Sequence, residues 1–218
     1  MFVYPQQAEV NRVVAKTKIF THAKPTKRIK ALFAAQVGEI VWKYKLSTET
    51  INLPARDGIA EIQVFEIAVK GDELDEAVLQ AIDKAVTSPI CFRLLFAEHI
   101  QFAAAFKRPS GTGTMKWVVE ARFRTGPQPV NGERPALPVA LDLASLYAQM
   151  LRRHLPLPAR AAESIGDHVA RCQLIEAKET ERQQLQVRLG KEKQFNRKVE
   201  MNATLRSLSR ELKILKQL

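Results

Sequence analysis

Cysteine, glycine and aromatic residues are scarce in this chain, and each scarcity removes a class of function. The two cysteines, Cys91 and Cys172, lie far apart in unlike contexts. No disulfide framework is expected, and Cys91, at the start of an apolar run, reads as a core thiol of a reduced, cytoplasmic protein. The four histidines, His22, His99, His154 and His168, form no HExxH pattern and pair with no cysteine at ligand spacing, so no metal is expected. The nine glycines include no phosphate loop: SGTGT at residues 110–114 lacks the GK[ST] ending and reads as a loop tip, so no cofactor is expected. No nucleophile elbow surrounds any serine. The longest apolar runs, Ile90 to Phe96 and Ile100 to Phe106, are broken by Arg93, Glu98 and His99 and fall well short of the roughly 18 to 20 residues of a membrane span. The opening MFVYPQQAEVNRVV has no basic start leading into an apolar segment, so no secretory signal is expected. Aromatics make up 7% of the chain and do not interleave with basic residues as a single-strand stacking platform requires.

Positive charge is what the chain has in excess. Thirty-four Lys+Arg stand against 23 Asp+Glu, a net +11 on 218 residues, more than a small domain needs for solubility. The excess is uneven: residues 1–60 carry +6, residues 61–90 carry −5 and residues 91–135 carry +4. Such patches attract phosphate through counterion release. The candidates for contacting a nucleic-acid backbone are Lys27, Arg28 and Lys30 near the N-terminus, Lys43 and Lys45 on one strand, and Lys107, Arg108, Arg122 and Arg124 on a later meander. Spacing by two places the strand residues on one sheet face. If an acidic helix at residues 72–86 covers that face, it neutralises the charge, which then serves solubility alone.

The periodicities predict an α+β fold. TKRIKALFAAQV at Thr26 to Val37 has helical spacing, with Thr26 as cap and Gly38 as stop. EIVWKYKL at Glu39 to Leu46 alternates, with Ile40, Trp42, Tyr44 and Leu46 on one face and Val41, Lys43 and Lys45 on the other. Ala60 to Lys70 is a second strand. Asp72 to Val86 is the clearest helix, its first-turn acids suited to the dipole. Three strand-like runs follow, Ile90 to Phe96, Ile100 to Arg108 and Lys116 to Arg124, an antiparallel meander. The expected head, residues 1–126, is a mixed, largely antiparallel sheet with two packing helices. Residues 127–160 form a proline-rich connector containing a short helix at Asp142 to Leu155. Residues 161–218 lack proline and repeat apolar residues at spacings of three and four, the seam of a helical coiled coil. As one helix they would reach about 87 Å, too long without support. They either fold back as a hairpin with its tip between Gly190 and Phe195-Asn196, or pair with a second chain. The partner-binding candidates on this seam are Leu185, Leu189, Val199, Leu205, Leu208, Leu212 and Leu215.

One constellation has the elements of metal-dependent chemistry. Asp57, Glu61 and Gln63, with Glu39, Lys43, Lys45 and Lys70 around them, place two acids near basic or amide side chains at the first two strands. In nucleases of the PD-(D/E)xK type such a set holds Mg²⁺ and orients water. Here Asp57 precedes Glu61 by four residues, and Gln63 stands where a lysine is expected. The competing reading is a solvated or salt-bridged strand face.

The runs EIVWKYKLSTETINL, EIQVFEIAVKG, LQAIDKAV followed by PI, AAAFKRP, LPVALDLASLY and KEKQFNRKVEMNATLRSL resemble a bacterial domain-of-unknown-function family over essentially the whole chain. The resemblance implies a companion of helicases and site-specific DNA methyltransferases in restriction and anti-phage defence gene clusters. It implies no catalytic motif. The expectation is therefore a non-enzymatic accessory subunit that contacts duplex DNA through basic patches. It would dock a helicase, a DNA methyltransferase or a second copy of itself through the C-terminal coiled coil. A divergent nuclease and a purely structural scaffold are the alternatives.

Overall fold

Residues 61–69 carry apolar side chains on both faces, Ile62 and Val64 on one and Phe65, Ile67 and Val69 on the other, the mark of a strand covered on both sides. The computed structural model, which describes residues 2–109 and 117–217, places this strand, β3 (Glu61–Val69), in the middle of a sheet. The strand order is β1 (Glu9–Val13), β2 (Val37–Ser47), β3, β4 (Ile90–Leu95), β5 (His99–Pro109) and β6 (Trp117–Arg124), and the short β7 (Gln128–Pro129) also pairs with β5. Neighbours are antiparallel except β3 and β4. That parallel pair needs a crossover, which is α4 (Glu76–Ala85). The chain is thus α+β with a mixed, largely antiparallel sheet, as its sequence predicts. The loop at residues 110–114 and Lys116 lie outside the described residues.

One face of the sheet is covered by α1 (Lys16–Ala23), α2 (Lys27–Gln36) and α4. Ile19, Phe33, Val78, Leu79 and Ile82 from these helices pack with Ile40, Phe65, Ile67, Phe92 and Leu94 of the strands in one core, each buried side chain stabilising by about 1.5–3 kcal/mol. The other face carries α5 (Leu143–Arg152), which buries Leu143, Leu146, Tyr147, Met150 and Leu151. The Tyr147 hydroxyl donates to the Ala105 carbonyl at the sheet. Just beyond α5, His154 stacks on Phe102 at 3.6 Å, and near the N-terminus Tyr4 stacks on Tyr44 at 4.6 Å. The sequence predicts two packing helices and misses α1, whose eight residues are too few for a clear period.

The strict alternation expected for β2 does not hold. Trp42 pairs with Phe65 but Tyr44 pairs with Val64, its neighbour, so the register shifts by one between them. A one-residue slip sends the following side chains to the opposite face. Ile40 and Trp42 therefore face the α4 side, while Tyr44 and Leu46 face the α5 side. Lys43 sits in the bulge and donates to Asn11 Oδ1 at 2.8 Å, where β1 has its own irregularity and Asn11 takes φ 50°.

The compact units are Met1–His154 and Leu155–Leu218. The helix expected within a connector at residues 127–160 belongs to the first unit: Asp142 caps α5, and the Leu143 N–H is held by the Pro54 carbonyl at 3.0 Å. The second unit is a helical hairpin of α6 (Ile165–Lys191) and α7 (Phe195–Lys216). Ser164 caps α6 by accepting from the Asp167 N–H. Val169, Cys172 and Ile175 on α6 and Leu208 and Leu212 on α7 are buried. The antiparallel arrangement is fixed by Lys178 with Glu211 and Lys216 with Glu179. Of the two arrangements open from the sequence, the chain thus adopts the fold-back, with its turn at residues 192–194 and α6 running through Gly190. No helix among the described residues is long and apolar enough to cross a membrane.

Candidate nucleic-acid interface

Six of the nine basic side chains predicted to contact phosphate are engaged inside the first unit. Lys107 is 2% exposed. Its ammonium lies 3.0 Å from Asp83 Oδ1 and donates to the Asp83, Val86 and Ser88 carbonyls at 3.1–3.2 Å, closing the C-terminal end of α4. Burial lifts the Asp83 carboxyl above its usual range and depresses the Lys107 ammonium, and each is drawn back by the other. Lys107 is therefore corrected from a surface contact to a buried structural cation. Arg122 lies 3.1 Å from Glu76 and 3.5 Å from Asp83, both on α4. Arg124 donates to Gln101 Oε1 and, at 2.9 Å, to the Leu74 carbonyl. Arg108 pairs with Glu120, Lys43 lies 3.4 Å from Glu9, and Lys45 lies 3.3 Å from Glu61. The acidic helix does lie among the meander's cations.

Lys27, Arg28 and Lys30 are different. All three are exposed on α2 and make no ion pair among the described residues. Lys18 on α1 and Lys24 in the turn between the helices are exposed and unpaired in the same way. The cause is legible in the chain: from Val10 to Gly38 there is no aspartate or glutamate. Neither α1 nor α2 has an acidic residue in its first turn, where the helix dipole favours one. Lys27, Arg28 and Lys30 instead add positive charge to the positive end of α2. By contrast α4 follows the ordinary rule, with Asp75 as cap and Glu76 in its first turn.

Of these cations only Lys30 contributes to holding the two helices together. Lys16 Nζ donates to the Phe33 and Val37 carbonyls at 3.1 and 2.6 Å, and Lys70 Nζ to the Ala34 carbonyl at 2.9 Å, so both satisfy the C-terminal end of α2. Burial, with the nearby charge of Lys70, lowers the Lys16 ammonium. Because Lys16 opens α1 and reaches the end of α2, the helices run antiparallel. Phe20 packs edge-on to Phe33 at 5.2 Å, and the Lys30 ammonium lies 5.7 Å over the Phe20 ring. Thr26 caps α2 by accepting from the Ile29 N–H, and Lys24 takes the left-handed φ of 48° that turns the chain. The two helices and the turn between them carry five exposed cations with no ion-pair partner among the described residues. Lys18 and Lys24 were legible as members of it only through the long acid-free stretch.

Each acid of the nuclease constellation has a basic partner of its own. Asp57 lies in an exposed turn at φ 50°, 4.0 Å from Arg56. Glu61 accepts from Ser88 Oγ at 2.6 Å and pairs with Lys45. Burial alone would raise its carboxyl, but hydrogen bonds from Ser88, Gln63 and Lys45 together hold it below the ordinary range. Gln63 is 5% exposed and its Oε1 has no hydrogen-bond partner among the described residues. Lys70 is occupied at α2. Among the described residues no three His, Cys, Asp or Glu side chains group to hold a metal.

In the second unit the predicted partner-binding residues separate by position. Leu208 and Leu212 are buried within the hairpin, Leu185, Leu189, Leu205 and Leu215 are half-buried, and Val199 is exposed. Two leucines are thus consumed by the hairpin itself. Toward its closed end the hairpin buries nothing fully from Glu181 to Ser207.

No match was found among curated proteins, and none among solved structures. The sequence model of one family, described as Domain of unknown function (DUF4391), matches residues 2–212, spanning both units, and the chain belongs to that family.

Proposed function

We propose that this protein is a non-enzymatic accessory subunit of a DNA-directed bacterial restriction or anti-phage defence complex. It contacts the duplex backbone through α1 and α2 and docks a helicase or DNA methyltransferase through the exposed flanks of the C-terminal hairpin. The observation that carries the reading is the platform of Lys18, Lys24, Lys27, Arg28 and Lys30, five exposed cations with no carboxylate paired to them. Cations placed against the dipole at the start of α2 cost helix stability by a few tenths of a kcal/mol each. They recover that cost when a phosphate approaches. Contacts of this kind bind without sequence preference and depend strongly on salt.

The test is duplex binding by fluorescence anisotropy between about 50 and about 200 mM salt. Wild type should show a steep fall of affinity with salt. Lys27→Gln/Arg28→Gln/Lys30→Gln should weaken binding at every salt concentration and flatten the log–log slope by about one per side chain removed. Equal slopes for the two proteins would sink the reading. For the docking half, co-purification with the neighbouring gene products should be lost in Leu185→Glu/Leu189→Glu while duplex binding is kept.

A further inference from the structure

The string KEKQFNRKVE at residues 191–200 falls on the turn of the hairpin. The turn is closed by backbone groups and by the Glu192 side chain. The Glu192 N–H donates to the Arg188 and Leu189 carbonyls, Glu192 Oε1 accepts from the Lys193 and Gln194 N–H groups, and the Lys198 N–H reaches back to the Gln194 carbonyl. Phe195 takes no part in this and is 77% exposed, the sole aromatic among the large apolar side chains that the described residues leave exposed. Near it along the chain, against the expectation that no aromatic stands among basic residues, are Arg188, Lys191, Lys193, Arg197 and Lys198, with Glu192 the single acid between Arg188 and Val199. Backbone hydrogen bonds from Gln194 and Lys193 hold that carboxyl ionised below its usual range, and Arg197 lies 4.0 Å from it. The other four cations have no ion-pair partner among the described residues.

An exposed aromatic ring ringed by unpaired cations is the chemistry that recognises an unpaired nucleotide. The ring offers a face for a base, and the cations meet the flanking phosphates. A flat protein partner would want neighbouring apolar area. Here the exposed apolar neighbours are few, Val199 one turn further along α7 and Val187 on α6, and most of the residues between them are charged or polar. Helices of 27 and 22 residues carry the ring at the end of an arm about 33–40 Å long. We infer that the closed end of the α6–α7 hairpin is a contact for single-stranded nucleic acid, in which Phe195 stacks on one base while Arg188, Lys191, Lys193 and Lys198 hold its phosphates. This contact is separate from the duplex surface on α1 and α2 and does not rest on it.

The experiment uses the full-length chain and two probes, an oligothymidylate and a duplex of matched length. Phe195→Ala should weaken oligothymidylate binding roughly 5-fold or more and leave duplex binding and the thermal unfolding profile unchanged. Phe195→Tyr should retain the affinity, because a tyrosine ring stacks as well. Lys27→Gln/Arg28→Gln/Lys30→Gln should lower duplex binding yet preserve the ratio of wild type to Phe195→Ala on oligothymidylate, which keeps a failure at one surface distinct from a failure at the other. Photo-cross-linking to a halogenated uracil in the single strand should yield a peptide containing Phe195. Equal oligothymidylate affinity for wild type and Phe195→Ala would overturn the inference. So would loss of a co-purifying protein in Phe195→Ala with both probes bound normally, which would make the tip a protein contact.

Discussion

The basic residues of the sheet and those of α1 and α2 are similar in number and opposite in fate. On the sheet, Lys107, Arg122, Lys45, Lys43 and Arg108 each meet a carboxylate, and Arg124 meets a carbonyl and an amide. On α1, α2 and the turn between them, Lys18, Lys24, Lys27, Arg28 and Lys30 meet no carboxylate among the described residues. The difference comes from where the carboxylates lie: α4 turns Glu76 and Asp83 toward Arg122 and Lys107, and Glu9, Glu61 and Glu120 on the strands meet Lys43, Lys45 and Arg108. Net charge therefore overstates the surface available to phosphate. Half of the apparent patch is internal wiring, and what remains is concentrated where the sequence omits acids.

The sharpest way to break this comparison is to remove one cation from each side. Lys107→Met leaves the Asp83 carboxylate buried and deprived of its closest partner, and strips donors from the last carbonyls of α4. It should cost about 3–5 kcal/mol in urea unfolding. The double substitution Lys107→Met/Asp83→Leu should recover most of that loss, since no uncompensated charge then remains. Lys27→Met, on the exposed helix, should stay within about 0.5 kcal/mol of wild type. Equal costs for the two single variants would erase the distinction between structural and free cations.

A second prediction converts one region into the other. Ala31 is exposed on α2, one turn from Lys27 and Arg28. Ala31→Glu supplies the carboxylate that residues 10–38 lack and should neutralise this surface as α4 neutralises the sheet. Duplex affinity should fall about 3- to 10-fold at low salt, with stability changed by no more than about 0.5 kcal/mol. Ala31→Gln, of the same size without the charge, should bind as wild type. A loss of affinity equal in the Gln variant would mean that shape, not charge, carries the contact.

Much of this architecture was readable from periodicity. The α2 and α4 helices, strands β2 to β6 and the position of the turn near Phe195 follow from spacing, caps and breakers, whereas β1 and β7 are too short to show a period and spacing alone left the fold-back level with pairing to a second chain. The bulge in β2 was not readable, because a single-residue slip leaves the alternation of apolar and polar letters intact while reversing the faces of Tyr44 and Leu46. Nor was the fate of the cations. Lys107 and Lys27 look alike in a sequence, and only the crossover that carries Asp83 over β5 distinguishes them. The site on α1 and α2 was half legible, since Lys27, Arg28 and Lys30 stand out and the unpaired state of Lys18 and Lys24 depends on where distant acids point. Phe195 was visible as a helix breaker, but its exposure is set by a turn that closes without it.

Acid titration separates the units by their buried and paired groups. Burial, with the nearby charge of Arg153, pushes His154 down to about 3, so the folded first unit holds this ring neutral while the unfolded chain takes up a proton. Its stability should begin to fall as pH drops below about 6.5. In the second unit the hydrogen bonds from Arg171 hold Glu163 at about 2. The stability it contributes should be complete above about pH 4.5 and lost as pH falls toward 2. Monitoring the ring protons of His154 beside the helical circular dichroism of the hairpin would show two separate acid limbs. His154→Phe should abolish the upper one alone.

The smallest effect belongs to a pair that looks strong on paper. Arg108 and Glu120 face each other across β5 and β6 with half the Arg108 side chain exposed. Coulomb attraction there is screened by water, and holding two long side chains in one geometry costs entropy. Arg108→Gln should therefore change stability by about 0.2–1 kcal/mol and weaken duplex binding little, because this cation already has its carboxylate. If Arg108→Gln instead reduced duplex affinity as much as Lys27→Gln, the pairing would be one that phosphate displaces. The sheet's exposed rim would then have to be counted with α1 and α2, moving the boundary between internal and free charge outward to the most solvent-exposed of the paired residues.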